Sequence, residues 1–224
     1  GSVKTIEVLQ GDEVLLPCNI TPLVVKDEAI EYEVVMVLIF HGINGAPIYS
    51  IDGRGHNHEP VIRNSSLSNG RGAYFRMNLA NPGLVLPHVL RYRDNGDYRC
   101  RVDFRDAPSR ETTVHLRIII LPNKLIILEN NKLEVSELVG PYALNSSIAF
   151  TCIVTSGQPA SKVTWWHGRK MIDNFSELTN NGITKNTLFP PPLSRRDLYK
   201  DFTCKASNTN LSAPIESRIT IDIS

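Results

Sequence analysis

Four cysteines carry the most distinctive chemistry in this sequence, and they stand two to each half: Cys18 and Cys100, then Cys152 and Cys204. No Cys-x-x-Cys spacing occurs among them, which removes the usual signature of a zinc site or a redox-active dithiol. An even number of widely separated cysteines suits structural disulfides, which persist in oxidising compartments. Five Asn-x-Ser/Thr sequons, at Asn19, Asn64, Asn145, Asn174 and Asn210, agree with a secretory route and are the candidate glycosylation sites. His56, His58 and Glu59 bring two imidazoles and a carboxylate together. They lie in a Gly-rich stretch with no second pair of ligands, so a polar loop is expected and no metal site is assigned. Neither a glycine-rich phosphate loop nor the elbow of a catalytic serine is found. The expectation is a protein that binds rather than catalyses, with no cofactor and no small-molecule substrate.

Holding the cysteines in pairs requires two cores, and 224 residues is the length of two domains of about 100 residues each. Apolar and polar residues alternate in short runs closed by Gly, Asn or Pro, so the expected class is all-β. Val14, Leu16 and Cys18 alternate on one strand, and Tyr98, Cys100, Val102 and Phe104 on another. Ile148, Phe150, Cys152 and Val154, then Phe202, Cys204 and Ala206, repeat both patterns. Cysteines sharing core-facing positions within each half predict the bridges Cys18–Cys100 and Cys152–Cys204. By the chain-entropy model each contributes on the order of 4 kcal/mol. The expected domains are residues 1–121 and 122–224, parted at Leu121-Pro122-Asn123. That junction lacks the Gly and Ser of a flexible linker, so a stiff connection is expected.

Charge and hydropathy exclude other classes. Lys and Arg number 24 against 23 Asp and Glu, a net charge of +1, so no nucleic-acid partner is expected. The longest wholly apolar run, Val34 to Phe40, is seven residues, against about 20 for a membrane-spanning helix. Membrane attachment is therefore expected only through a span beyond this chain. Gly1-Ser2 reads as a cloning remnant and the chain as an ectodomain fragment.

In immunoglobulin domains a cysteine from each sheet bridges the core, a tryptophan from a central strand packs on the bridge, and a tyrosine two residues before the second cysteine pins a corner. The run Asp94-Asn95-Gly96-Asp97-Tyr98-Arg99-Cys100 puts Tyr98 at that corner and Asp94 where these domains commonly hold an arginine; Arg71 is the candidate partner. The first two cysteines are 82 positions apart, room for the extra strands of a variable-type domain, but Ile39 stands where tryptophan is usual. The second half keeps Trp165 and has Phe202 in place of the tyrosine. Its cysteines are 52 positions apart, which suits a constant-like or intermediate-type domain. The expected fold is therefore two tandem immunoglobulin β-sandwiches, variable-type then constant-like/intermediate-type.

Several stretches are more specific: Ala46-Pro47-Ile48-Tyr49-Ser50-Ile51-Asp52, Gly72-Ala73-Tyr74-Phe75-Arg76, Gly96 to Arg105, Val163-Thr164-Trp165-Trp166 and Cys204-Lys205-Ala206-Ser207-Asn208. They resemble the first two domains of the insect Sidestep family, most specifically in the run from Cys100 to Arg105, and the likeness covers nearly the whole chain. The resemblance implies a neuronal surface receptor with further immunoglobulin domains, a fibronectin type III domain and one membrane span beyond Ser224. It also implies heterophilic binding of Beaten path-family immunoglobulin proteins through the first domain, in axon guidance and synaptic partner matching. Ile39 and the long segment from Thr21 to Glu33 depart from the family pattern.

Strand alternation then selects a surface. With Cys100 inward, Arg99, Arg101, Asp103 and Arg105 point out; with Val37 and Ile39 inward, Leu38 and Phe40 do. On the next strand Ile48 is read as core-facing and Tyr49 as joining the outer surface. Leu38, Phe40, Tyr49, Arg99, Arg101, Asp103 and Arg105 are the expected partner-binding residues, since aromatic groups beside arginines have the composition of interface hot spots. Homophilic adhesion is the alternative. It needs a self-complementary patch, which three arginines against one aspartate do not supply. Trp166 is expected to be half covered by neighbouring strands, and Pro190-Pro191-Pro192 to end a strand.

Overall fold

The structure is a computed structural model that describes residues 3–22, 33–43, 45–53, 61–63 and 71–224. His56, His58, Glu59 and Asn64 lie outside these residues. The chain divides into two compact units, Gly1–Ile118 and Ile119–Ser224.

In the first unit the strands are β1 (Lys4–Leu9), β2 (Val14–Pro17), β3 (Val34–His41), β4 (Tyr49–Asp52), β5 (Val61–Arg63), β6 (Tyr74–Arg76), β7 (Gly83–Leu86), β8 (Gly96–Phe104) and β9 (Arg110–Ile119), with a helical turn at Arg91–Asp94. The larger sheet has the order β1-β9-β8-β3-β4-β5 and the smaller β2-β7-β6. β4 and β5 occupy the room left by the long cysteine spacing, which makes this the variable-type sandwich. Val14, Leu16 and Cys18 from one side and Val37, Ile39, Cys100 and Val102 from the other are all buried in one core, and Cys18 is bonded to Cys100. The alternation in these strands therefore faces the way the sequence reading requires.

Ile39 lies opposite Cys100 in the β3–β8 register and is 2% exposed. Beside it is a hollow of only about 10 Å³, lined by Leu16, Leu84, Tyr98, Cys100 and Val114, space for one water at most. The core has closed around the smaller side chain. Ile39→Trp, which restores the residue usual in these domains, is accordingly expected to overpack and to destabilise the unit by about 1–3 kcal/mol. Urea unfolding followed by circular dichroism checks this; an unchanged or raised midpoint would mean the core can reopen.

Asp94 closes the base of this sandwich. Arg71 donates from one guanidinium nitrogen to both carboxylate oxygens at 2.9 Å, and Arg93 and the Leu90 N–H donate as well. Burial alone pushes the Asp94 carboxyl upward, but the hydrogen bonds from Arg93 and Leu90 and the charge of Arg71 outweigh it and hold its pKa below the ordinary aspartate value. Tyr98 donates its hydroxyl to the Asp94 main-chain oxygen at 2.6 Å. Its pKa is raised by burial and by the charge of Asp94. The corner and the candidate ion pair thus form one network.

The second unit comprises β10 (Lys124–Glu129), β11 (Leu133–Val135), β12 (Glu137–Tyr142), β13 (Phe150–Thr155), β14 (Lys162–His167), β15 (Lys170–Asp173), β16 (Glu177–Leu178), β17 (Thr184–Leu188), β18 (Asp201–Ser207) and β19 (Ile215–Ile223). They form the sheets β11-β10-β13-β17-β16 and β12-β19-β18-β14-β15, joined by Cys152–Cys204. Trp165 is fully buried, and its indole N–H donates to the Asn186 carbonyl at 2.9 Å. The Asn186 side-chain amide in turn donates to the Val163 carbonyl at 2.9 Å, so the indole N–H and the Asn186 amide both find acceptors inside the core. Phe202 fills the corner position without needing a hydroxyl partner and is 5% exposed. Trp166 is half-buried, donating to the Thr164 hydroxyl at 2.8 Å with the Lys205 ammonium 4.6 Å from its ring centre. β17 stops at Leu188, just ahead of the prolines.

Candidate functional site

Opposed residues of antiparallel strands share a face, so register fixes the outer surface of the larger sheet. Phe40 stands opposite Arg99, Leu38 opposite Arg101 and Met36 opposite Asp103. Beyond them Arg99 faces Thr113 and Arg101 faces Glu111 on β9, while Ser50 and Asp52 flank Leu38 and Met36 on β4. The surface is a row of half-buried apolar side chains on β3 beside an exposed arginine row on β8. The Arg99 guanidinium lies 4.6 Å from the Phe40 ring centre, a cation–π contact that holds both side chains in place.

Six of the seven expected contact residues stand on this face or at its end. Tyr49 does not. It pairs with Ile39, is 2% exposed, and its hydroxyl accepts the Phe75 N–H at 3.2 Å. That bond satisfies the buried phenol, and burial raises its pKa. Ser50 takes the outward position instead.

The charge on the face also differs from the expected excess of arginine. Arg101 donates to Asp103 at 3.0 Å, and the Ser109 hydroxyl donates to the same carboxylate. Arg105 pairs with Glu33 at 3.0 Å, and His115 contacts Asp97 at 2.7 Å. With Glu111 opposite Arg101, the face alternates in sign. These pairs are exposed, so they add little stability, but they remove the charge argument against self-pairing. Sequence reading also missed Met36, which shares the alternation of Leu38 and Phe40, Glu111 and Thr113, which become visible only through register, and Ile43, 92% exposed just after β3.

None of the four described sequon asparagines lies on β3, β4, β8 or β9. Asn145, Asn174 and Asn210 are exposed, whereas Asn19 is half-buried and its side-chain oxygen accepts the Thr21 hydroxyl at 2.7 Å. Among the described residues no group of three or more His, Cys, Asp or Glu is placed to hold a metal ion.

A family model described as "Immunoglobulin domain" matches residues 142–217. Solved structures extend the likeness over the whole chain. The murine CEACAM1b structure is 17% identical, with 97% of this chain and 94% of that one covered and a TM-score of 0.62. The ectodomain of mouse nectin-like molecule 4 is 14% identical over 99% of this chain and 67% of that one, with a TM-score of 0.60. Both units are immunoglobulin-like domains. The two-domain Rst D1-D2 structure, 14% identical, with 99% of this chain and 96% of that one covered and a TM-score of 0.58, has the same tandem architecture. No curated protein matches the sequence. At these identities the likeness concerns the fold, and what the immunoglobulin-like domains do must be argued from their surfaces.

Proposed function

We propose that this chain is extracellular and belongs to a cell-surface recognition receptor whose first immunoglobulin-like domain binds another immunoglobulin protein through the outer face of β3, β4, β8 and β9. The observation that carries this reading is the apolar row of Leu38 and Phe40 packed against the arginine row of Arg99 and Arg101, on strands that bear no described sequon. A partly desolvated aromatic beside arginine is the usual composition of an interface anchor. The sequence resemblance to the Sidestep family supports a finer statement: a neuronal receptor for a Beaten path-type partner, acting in axon guidance and synaptic matching. The alternating charges of Arg101, Asp103 and Glu111 favour homophilic adhesion as a second reading, because a face of mixed sign can oppose its own copy.

The test is a binding screen of the two-domain chain against secreted and surface immunoglobulin proteins, itself included. A Beaten path-type protein is expected to bind, faster at low salt than at high salt. Arg101→Glu sets a third negative charge beside Asp103 and Glu111 and is expected to weaken binding about tenfold, which is about 1.4 kcal/mol. Binding only to itself would establish the homophilic reading instead.

A further inference from the structure

The second domain presents an apolar edge that the recognition face does not explain. β15 ends one sheet and β16 ends the other, so residues 170–178 run along one side of the sandwich. Met171 and Ile172 are consecutive yet 45% and 39% exposed. The pairing of β14 with β15 slips between Trp165–Asp173 and Trp166–Met171, which leaves Ile172 without an opposite residue. Phe175 is 73% and Leu178 60% exposed. Single exposed apolar side chains are ordinary, but here four fall within eight residues where the chain passes from the edge strand of one sheet to the edge strand of the other, and apolar edge strands invite pairing with another chain.

Asn174 stands in the middle of this stretch. It is exposed, its side chain makes no hydrogen bond to any described residue, and it opens the sequon Asn174-Phe175-Ser176. The Asp173 carboxylate anchors the turn by accepting the Phe175 N–H at 2.8 Å. Ser176 accepts the Val163 N–H at 2.7 Å and donates to the Val163 carbonyl at 2.9 Å, which leaves the asparagine as the group with no structural duty. We propose that an N-linked glycan on Asn174 covers the edge formed by Met171, Ile172, Phe175 and Leu178 and keeps it from pairing with a second chain. The step is transfer of an oligosaccharide from a lipid diphosphate donor. The Asn174 amide nitrogen bonds to C1 of the first sugar and loses one proton, the C1–oxygen bond to the diphosphate breaks, and the lipid diphosphate leaves. The sugar rings then offer their apolar faces to Phe175 and their hydroxyls to water.

The experiment compares parent, Asn174→Gln and the triple variant Asn174→Gln, Phe175→Ser, Leu178→Thr, all secreted from glycosylating cells. Peptide mass mapping is expected to find Asn174 occupied. Light scattering is expected to show Asn174→Gln self-associating about tenfold more tightly than the parent, and the triple variant returning to the parental level. All three substituted side chains are exposed, so all three proteins fold; circular dichroism checks it. An unoccupied Asn174, an Asn174→Gln protein that self-associates no more than the parent, or an increase over the parent that survives in the triple variant would each overturn the proposal.

Discussion

Asp94→Ala is expected to destabilise the first immunoglobulin-like domain by about 3–5 kcal/mol, because removing one partner of a buried ion pair strands the other. The Asp94 side chain is 3% exposed and that of Arg71 14%. Without the carboxylate, the Arg71 guanidinium stays largely buried with no counter-charge, and the Leu90 N–H loses its acceptor. The pH dependence follows in sign. The folded pKa of Asp94 is depressed, so its contribution is complete above the ordinary aspartate value and is lost as pH falls through the lower folded value. The parent domain should therefore weaken in acid, and Asp94→Ala should flatten that limb. Both tryptophans lie in the second domain, so circular dichroism reports both domains and tryptophan fluorescence only the second. A far-ultraviolet transition that moves to lower urea while the fluorescence transition stays in place is the expected result. Coincidence with the parent in both signals would show that the network is dispensable.

Trp165→Ala should produce the opposite pattern, a loss of about 3–5 kcal/mol confined to the second domain. The indole is fully buried and packs in the core that holds Cys152–Cys204. Its removal opens a large cavity and leaves the Asn186 carbonyl without its donor, a buried unsatisfied group that itself costs about 1–3 kcal/mol. Trp165→Phe keeps most of the bulk but not the N–H and should fall between. Trp166 remains as the fluorescent probe in both variants. A urea midpoint for Trp165→Ala within experimental error of the parent would contradict the packing described.

What could be read from the sequence was whatever a short motif or a shared reference residue fixes. Cys100 fixes the faces of its own strand, and Asp94 and Tyr98 stand at set offsets from it, so the disulfides, the corner and the Arg71–Asp94 pair were legible. Tyr49 was misplaced because period-two alternation gives faces only relative to a known inward residue. β4 has no cysteine to supply one. Pairing with Ile39 settles the matter, and pairing is a property of the folded sheet. The charge balance of the face was hidden for the same reason. Glu33 precedes β3 while Arg105 follows β8, and Glu111 reaches Arg101 from the neighbouring strand. The apolar edge around Asn174 was obscured by the slip in β15, which exposes two consecutive residues where alternation would hide one.

The claim that the first domain recognises its partner through the outer sheet face is tested most directly by comparing the affinities of Phe40→Ala and Tyr74→Ser for one partner. Phe40 lies on the proposed surface under the Arg99 guanidinium, whereas Tyr74, 46% exposed, lies on β6 of the opposite sheet. Truncating the aromatic anchor is expected to cost about 2 kcal/mol, roughly thirtyfold in affinity, with circular dichroism unchanged. Tyr74→Ser is expected to bind like the parent. A folded Phe40→Ala protein with parental affinity, or an equal loss in Tyr74→Ser, would contradict the account and move the interface off this face.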